Sequence, residues 1–166
     1  MDIILQILAI IGVIDTIILV SVSIYGIILW VKGIIPAVYR LGNGLAKRKI
    51  AIFAKGDNAV SLKNLLTDSK LFRQKNIFEI TSREDIGKAE EASVYLVYWH
   101  DWINDILEII NQKPDKYAMV IYAPYDKGEI PDEQMKVLDG KRHTTVTNFR
   151  GRLLNDIVTA MITTSL

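Results

Sequence analysis

The side chains with usable chemistry in this 166-residue chain gather just after its apolar runs. They fall in Lys55-Gly56-Asp57, Thr81-Ser82-Arg83, Trp99-His100-Asp101, Pro124-Tyr125-Asp126 and Asn148-Phe149-Arg150-Gly151-Arg152. Aromatic rings stack on bases and arginine forks pair with phosphates, so this mixture suits a nucleotide. Lys55, Ser82, Arg83, Trp99, His100, Asn148, Arg150 and Arg152 are the expected ligand-binding residues. The alternative is a rim of ordinary polar loop ends that binds nothing. Gly56 belongs to no GxGxxG or Walker pattern, which argues against a dinucleotide or nucleoside-triphosphate cradle. The two histidines, His100 and His143, lie far apart, and there is no cysteine. Disulfides and thiolate ligands are therefore excluded, and no metal or cofactor is expected. Hydrolysis would need a carboxylate in the pocket. Asp105 or Glu108, near Trp99 and His100, would supply it, but both fit a solvated acidic helix face equally well.

A second kind of chemistry sits in the N-terminal segment. Asp15 is the single formal charge between Ile3 and Val31. As helix that stretch is about 43 Å long, against about 30 Å of hydrocarbon, so one tilted membrane span is expected. A hairpin of two helices would need more apolar residues and a better turn than Asp15-Thr16. A cleavable signal peptide would need a basic start and a small-residue cleavage site, and neither is present. Lys32, Arg40, Lys47, Arg48 and Lys49 follow the span, while Asp2 precedes it. Basic residues stay on the cytoplasmic side. The expected topology is a single pass through the cell inner membrane, N-terminus outside and C-terminal domain cytoplasmic. Trp30 and Tyr39 suit the interface, and Pro36 is expected to end or kink the helix.

On a helical wheel Asp15 lies near Gly12, Thr16, Ser23, Gly26 and Gly33. Small and hydroxyl residues allow close helix approach, and an acid in hydrocarbon costs about 2.5–3.5 kcal/mol on insertion scales. One reading puts Gly12, Asp15, Thr16, Ser23 and Gly26 on the contact face of a homo-oligomer. The other leaves Asp15 shallow, at the outer interface.

The rest of the chain must position the rim. Apolar content is 50%, but after Ile50 charged residues recur every few positions, as in a soluble domain. Net charge is +1, so no direct DNA or RNA binding is expected. Strands are expected at Lys49–Ala54, Asn76–Thr81, Ser93–Tyr98, Tyr117–Tyr122 and, more weakly, Thr144–Asn148. Helices are expected from Lys55 to Phe72, from a capping-box start at Ser82/Asp85, over Asp101–Gln112 and over Arg152–Ile162. Alternation of strand and helix means βαβ units. The expected fold is α/β, with an N-terminal transmembrane helix and a small, doubly wound, mostly parallel five-strand sheet. The limits are 1–39 for the span and its interfacial end, 40–48 for a basic linker and 49–166 for the cytosolic domain.

From Lys49 to Met161 this order of elements resembles a Toll/interleukin-1-receptor (TIR)-like domain, or a flavodoxin-like relative. Ile86-Gly87-Lys88-Ala89-Glu90-Glu91-Ala92 leading into SVYLVY, and VIYAP followed by Pro131, carry the likeness. TIR enzymes that cleave NAD place a glutamate three residues after a tryptophan–cysteine pair. Here Trp102 is followed at that spacing by Asp105, one methylene shorter, and Glu108 lies a turn further on. Asp57, Asp101 and Arg150 loosely resemble a phosphoacceptor receiver pocket, but Ala123-Pro124 lacks the hydroxyl and the fifth strand lacks the lysine. The anchored architecture resembles bacterial antiphage effectors, in which a small cytosolic sensor is fused to a helix that perturbs the membrane. These likenesses imply an effector or signalling protein. Its partners would be the lipid bilayer, further copies of itself, and a nucleotide second messenger or a protein. A membrane-tethered nucleotide glycohydrolase of the NAD type is the alternative from another class, and a scaffold without a small ligand is a third.

Overall fold

A computed structural model of the chain describes residues 2–164. Met1, Ser165 and Leu166 lie outside the described residues, as do the side chains of Asp2 and Arg40 among the expected flanking charges. The chain divides into two compact units, 1–40 and 41–166.

Helix α1 (Asp2–Lys47, 46 residues) accounts for the first unit and runs on into the second. It is long and apolar enough to span a membrane. Its described large side chains between Ile3 and Tyr39 are exposed. Pro36 sits inside the helix and does not end it, and residues 40–47 are helix, not linker. Gly42, Asn43 and Gly44 are poor helix formers, so the reason lies in what the last turns touch. Leu45 packs against the core, and the buried Asn76 donates its amide to the Ala46 carbonyl at 2.9 Å. That bond satisfies one of the carbonyls a helix C-terminus leaves open.

The second unit holds the sheet. All five expected strands form: β1 (Ile50–Phe53), β2 (Ile77–Ile80), β3 (Val94–Tyr98), β4 (Ala118–Tyr122) and β5 (Thr144–Thr147). Every pairing is parallel, in the order β2-β1-β3-β4-β5. Around it lie α2 (Gly56–Asp68), α3 (Trp99–Trp102), α4 (Ile106–Gln112), α5 (Asp132–Asp139) and α6 (Arg150–Thr163). Strand residues alternate between two cores. Ile52, Leu96, Tyr98 and Val120 meet α2 and α6 on one face, while Phe53, Tyr95, Val97 and Ile121 meet α3, α4 and α5 on the other. Both faces being covered, the three inner strands β1, β3 and β4 are buried along their whole length, as parallel strands should be.

Two expected helices differ. Between β2 and β3 the chain forms a 3-10 stretch, Arg83–Glu91. The Ser82 hydroxyl bonds the Asp85 carboxylate at 3.1 Å rather than a backbone N–H, so no capping box starts an α-helix. The Asp101–Gln112 helix is broken into α3 and α4. Trp99 and Trp102 both sink into the core, Trp102 meeting Phe53 edge to face, and the chain turns at Asn104-Asp105 before Ile106 is buried in turn.

Candidate functional site

In a sheet of this order the connections after β1 and β3 leave in opposite directions, and a ligand commonly docks beyond the carboxyl ends of these two strands. An anion there would meet the N-terminus of α2. The chain fills the position itself. Asp101, following β3, accepts the Lys55 N–H at 2.7 Å and the Asn58 amide at 3.1 and 3.2 Å. Gly56 starts α2 at φ +52, a left-handed turn that other residues resist. The Lys55 ammonium lies 4.5 Å from the centre of the Trp102 ring. A bound phosphate would have to displace a carboxylate.

The other expected ligand residues are dispersed. Trp99 is 1% exposed, so it offers no face for stacking. Arg83 is held by Glu108, with Nη2 at 2.7 Å and Nε at 2.9 Å, and lies 3.8 Å from Asp105. One arginine thus engages both carboxylates of the hydrolase alternative. Arg150 reaches across to α2 and donates to the Ser61 carbonyl at 3.0 Å. Ser82 is occupied with Asp85, whose pKa is lowered by its hydrogen bonds to Lys88 and then to Ser82. His100 is half-buried above Tyr98, ring centroids 6.1 Å apart, and its Nδ1 is buried without a partner. Tyr98 has its phenol pushed up by burial and then by the Asp101 charge. Asp57, which completes the receiver likeness, is exposed on the first turn of α2. Among the described residues no three His, Asp or Glu side chains come together as a metal would need.

Asn148 and Arg152 do meet. They line a groove of about 560 Å³ along β5, whose outer edge has no neighbouring strand, between Met135, Leu138 and Asp139 of α5 and Asp156 of α6. Asn148 and Met135 also line an adjoining cavity of about 190 Å³ with Tyr125, Glu129, Ile130 and Asp132. Tyr125 and Phe149, 70% and 62% exposed, stand at this end of the sheet. Both were visible as aromatics in the loops after the fourth and fifth strands, but nothing in the sequence ranked them above Trp99. The groove carries Asp139 and Asp156 against Arg152, and the cavity adds Glu129 and Asp132. Its charge favours a cationic occupant over a polyphosphate.

In α1 the residues expected at an oligomer face all lie within one unbroken helix. The Thr16 hydroxyl donates to the Gly12 carbonyl at 2.7 Å and Ser23 to the Leu19 carbonyl at 2.8 Å. Both hydroxyl protons are thus used on their own backbone. No side-chain atom comes within 4 Å of a Cβ placed at Gly12 or Gly26. Asp15 is exposed and pairs with no cation among the described residues. No family model matches the chain, and neither does any curated protein or solved structure.

Proposed function

We propose that the protein is a membrane-anchored effector or signalling protein. In this reading α1 crosses the inner membrane once, N-terminus outside, and the cytoplasmic α/β unit answers a signal by changing how the helices of several copies assemble. The observation that carries it is the length of exposed apolar surface on α1, in which Asp15 is the single charge between Ile3 and Val31. Such a surface needs lipid or other helices around it. The strand order supports a TIR-like or flavodoxin-like unit. The architectural likeness to antiphage effectors supports a role in membrane perturbation.

Of the two signals considered, a protein partner is the better supported. The open β5 edge offers unpaired backbone groups, and an extended segment adds to such an edge as a further strand. The acidic groove beside it suits a segment carrying lysine or arginine. Arg83, by engaging Glu108 and Asp105, supports the non-enzymatic reading over the glycohydrolase.

Crosslinking of the full chain in membranes, with an assay of membrane leakage, tests the proposal. Asp15→Leu and Gly12→Leu are expected to alter oligomer yield and leakage, because the first removes the charge and the second blocks close approach. Glu108→Gln and Asp105→Asn are expected to leave both unchanged. Parental behaviour of both helix variants would reduce α1 to an anchor. Loss of activity in the carboxylate variants, with fold and assembly retained, would favour the hydrolase.

A further inference from the structure

At the opposite edge of the sheet, where the strands begin, a second pocket is built from different chemistry. Lys47, Arg48 and Lys49 lead into β1, Ser93 precedes β3, and Lys116 and Tyr117 precede β4. With Glu91 they enclose about 220 Å³. A water's share of the liquid is about 30 Å³, so there is room for a tetrahedral oxyanion and part of what it is attached to. We propose that this pocket binds a phosphate-class anion.

The charges are unbalanced. Four cations line the pocket against one carboxylate, and that carboxylate, Glu91, is taken by Lys49 at 2.6 Å. The Lys116 ammonium stands over the Tyr117 ring, 5.0 Å from its centre, which leaves its positive charge unneutralised. Lys47 closes the last turn of α1, where the helix dipole alone would account for one cation. It does not account for Arg48 or Lys116.

Arg48 carries the argument furthest. It is 5% exposed, yet its terminal nitrogens donate only to the hydroxyl and carbonyl of Thr164, both neutral. Its Nε is buried without a partner. Among the described residues no carboxylate pairs with it. Buried charges are ordinarily paired, and a guanidinium with a free donor fits an oxyanion better than any other group. Ser93 adds a second unused donor. Its backbone is fixed by bonds to Lys49 and Ala118, while its hydroxyl is buried with no partner. The two residues that bear these orphaned groups line one pocket with the surplus cations.

A lipid headgroup and a soluble phosphate compound share this chemistry, and two arms of one experiment separate them. Full-length protein in a neutral detergent is titrated calorimetrically with inorganic pyrophosphate. The same protein in phosphatidylcholine nanodiscs, with and without phosphatidylglycerol, is examined for retained lipid by native mass spectrometry. Saturable binding in either arm is expected, and the arm that shows it identifies the source. Lys116→Gln and Ser93→Ala are each expected to weaken it at least fivefold. Arg48→Lys keeps the charge but loses the fork and is expected to weaken it further, whereas Lys127→Gln, at an exposed cation beyond the other end of β4, is expected to leave it unchanged. Lys116 has no structural hydrogen bond to lose, so its variant still decides the matter should Arg48→Lys fail to fold. No binding in either arm, or binding that ignores Lys116→Gln and Ser93→Ala, overturns the proposal.

Discussion

The first forty residues and the sheet are made of the same side chains put to opposite uses. Leu19 in α1 is 70% exposed, and Ile52 and Leu96 in the sheet are 0% exposed. In the α/β unit, polar helix faces take the water and the two cores take the isoleucines, leucines and valines. In α1 the apolar residues go all the way round from Ile3 to Val31, where Asp15 is the single charge among them. A helix that is apolar on every side finds its solvent in lipid or in other helices. Hydrophobicity alone therefore does not say where a residue goes. Its period, and the polar residues interleaved with it, do.

The strongest way to break this contrast is to place a charge in each region. Leu96→Asp buries an unpaired carboxylate between strands and is expected to cost several kcal/mol, abolishing the cooperative unfolding of the α/β unit in circular dichroism. Leu19→Asp is expected to leave that unfolding intact while costing about 3 kcal/mol of membrane insertion, read as carbonate-extractable protein. If both variants melt alike, the two regions do not differ as described.

The boundary between them is sharpened by truncation. A chain starting at Leu41 keeps Leu45 against the core and the Asn76–Ala46 hydrogen bond, and one starting at Lys47 loses both. Leaving the Asn76 amide unpaired costs about 1–3 kcal/mol. The longer fragment is expected to be the more stable by at least that amount in urea denaturation. Equal midpoints would mean that the last turns of α1 contribute nothing to the second unit.

Within the α/β unit, Asp101 is expected to matter next. Asp101→Ala removes the acceptor for Lys55 and Asn58 and is expected to cost about 1–3 kcal/mol, measured by the same denaturation. It also empties the position at the start of α2, so the variant is expected to gain affinity for inorganic phosphate there. A neutral melt with no such gain would show that Asp101 neither braces nor blocks that edge.

The smallest effect concerns Tyr95, whose buried phenol has no hydrogen-bond partner and is pushed up to about 12, chiefly by burial. Its folded pKa lies above the unfolded one, near 10.0, so the unfolded chain releases the proton first as pH rises. Ionisation of this group changes nothing below pH 10 and takes stability away between there and about pH 12. Tyr95→Phe is expected to melt within about 1 kcal/mol of the parent at neutral pH and to lose less stability on the alkaline side. An unchanged alkaline profile would place the hydroxyl in contact with water.

The strands, their parallel direction and the membrane-length helix were legible in the sequence because each is written in local pattern. KIAIFA, SVYLVY and YAMVIY are short apolar runs separated by polar helical stretches, and Ile3–Val31 is too long and too free of charge to be anything but helix. Hydrophobic period depends on a residue's near neighbours, so it survives without the fold. The site did not share that advantage. Trp99, His100 and Arg83 are rim residues by sequence position, yet burial removed Trp99, Glu108 captured Arg83, and the Asp101 carboxylate took the place a phosphate would occupy. Residues 40–47 likewise carried the composition of a linker and became helix because Leu45 and Asn76 hold the last turn. The basic pocket joins Lys47–Lys49 with Ser93 and Lys116, which are brought together only when three strands start side by side. Each of these outcomes turns on which side chains meet across tens of residues. That is settled by packing and charge pairing in three dimensions, to which local period is blind.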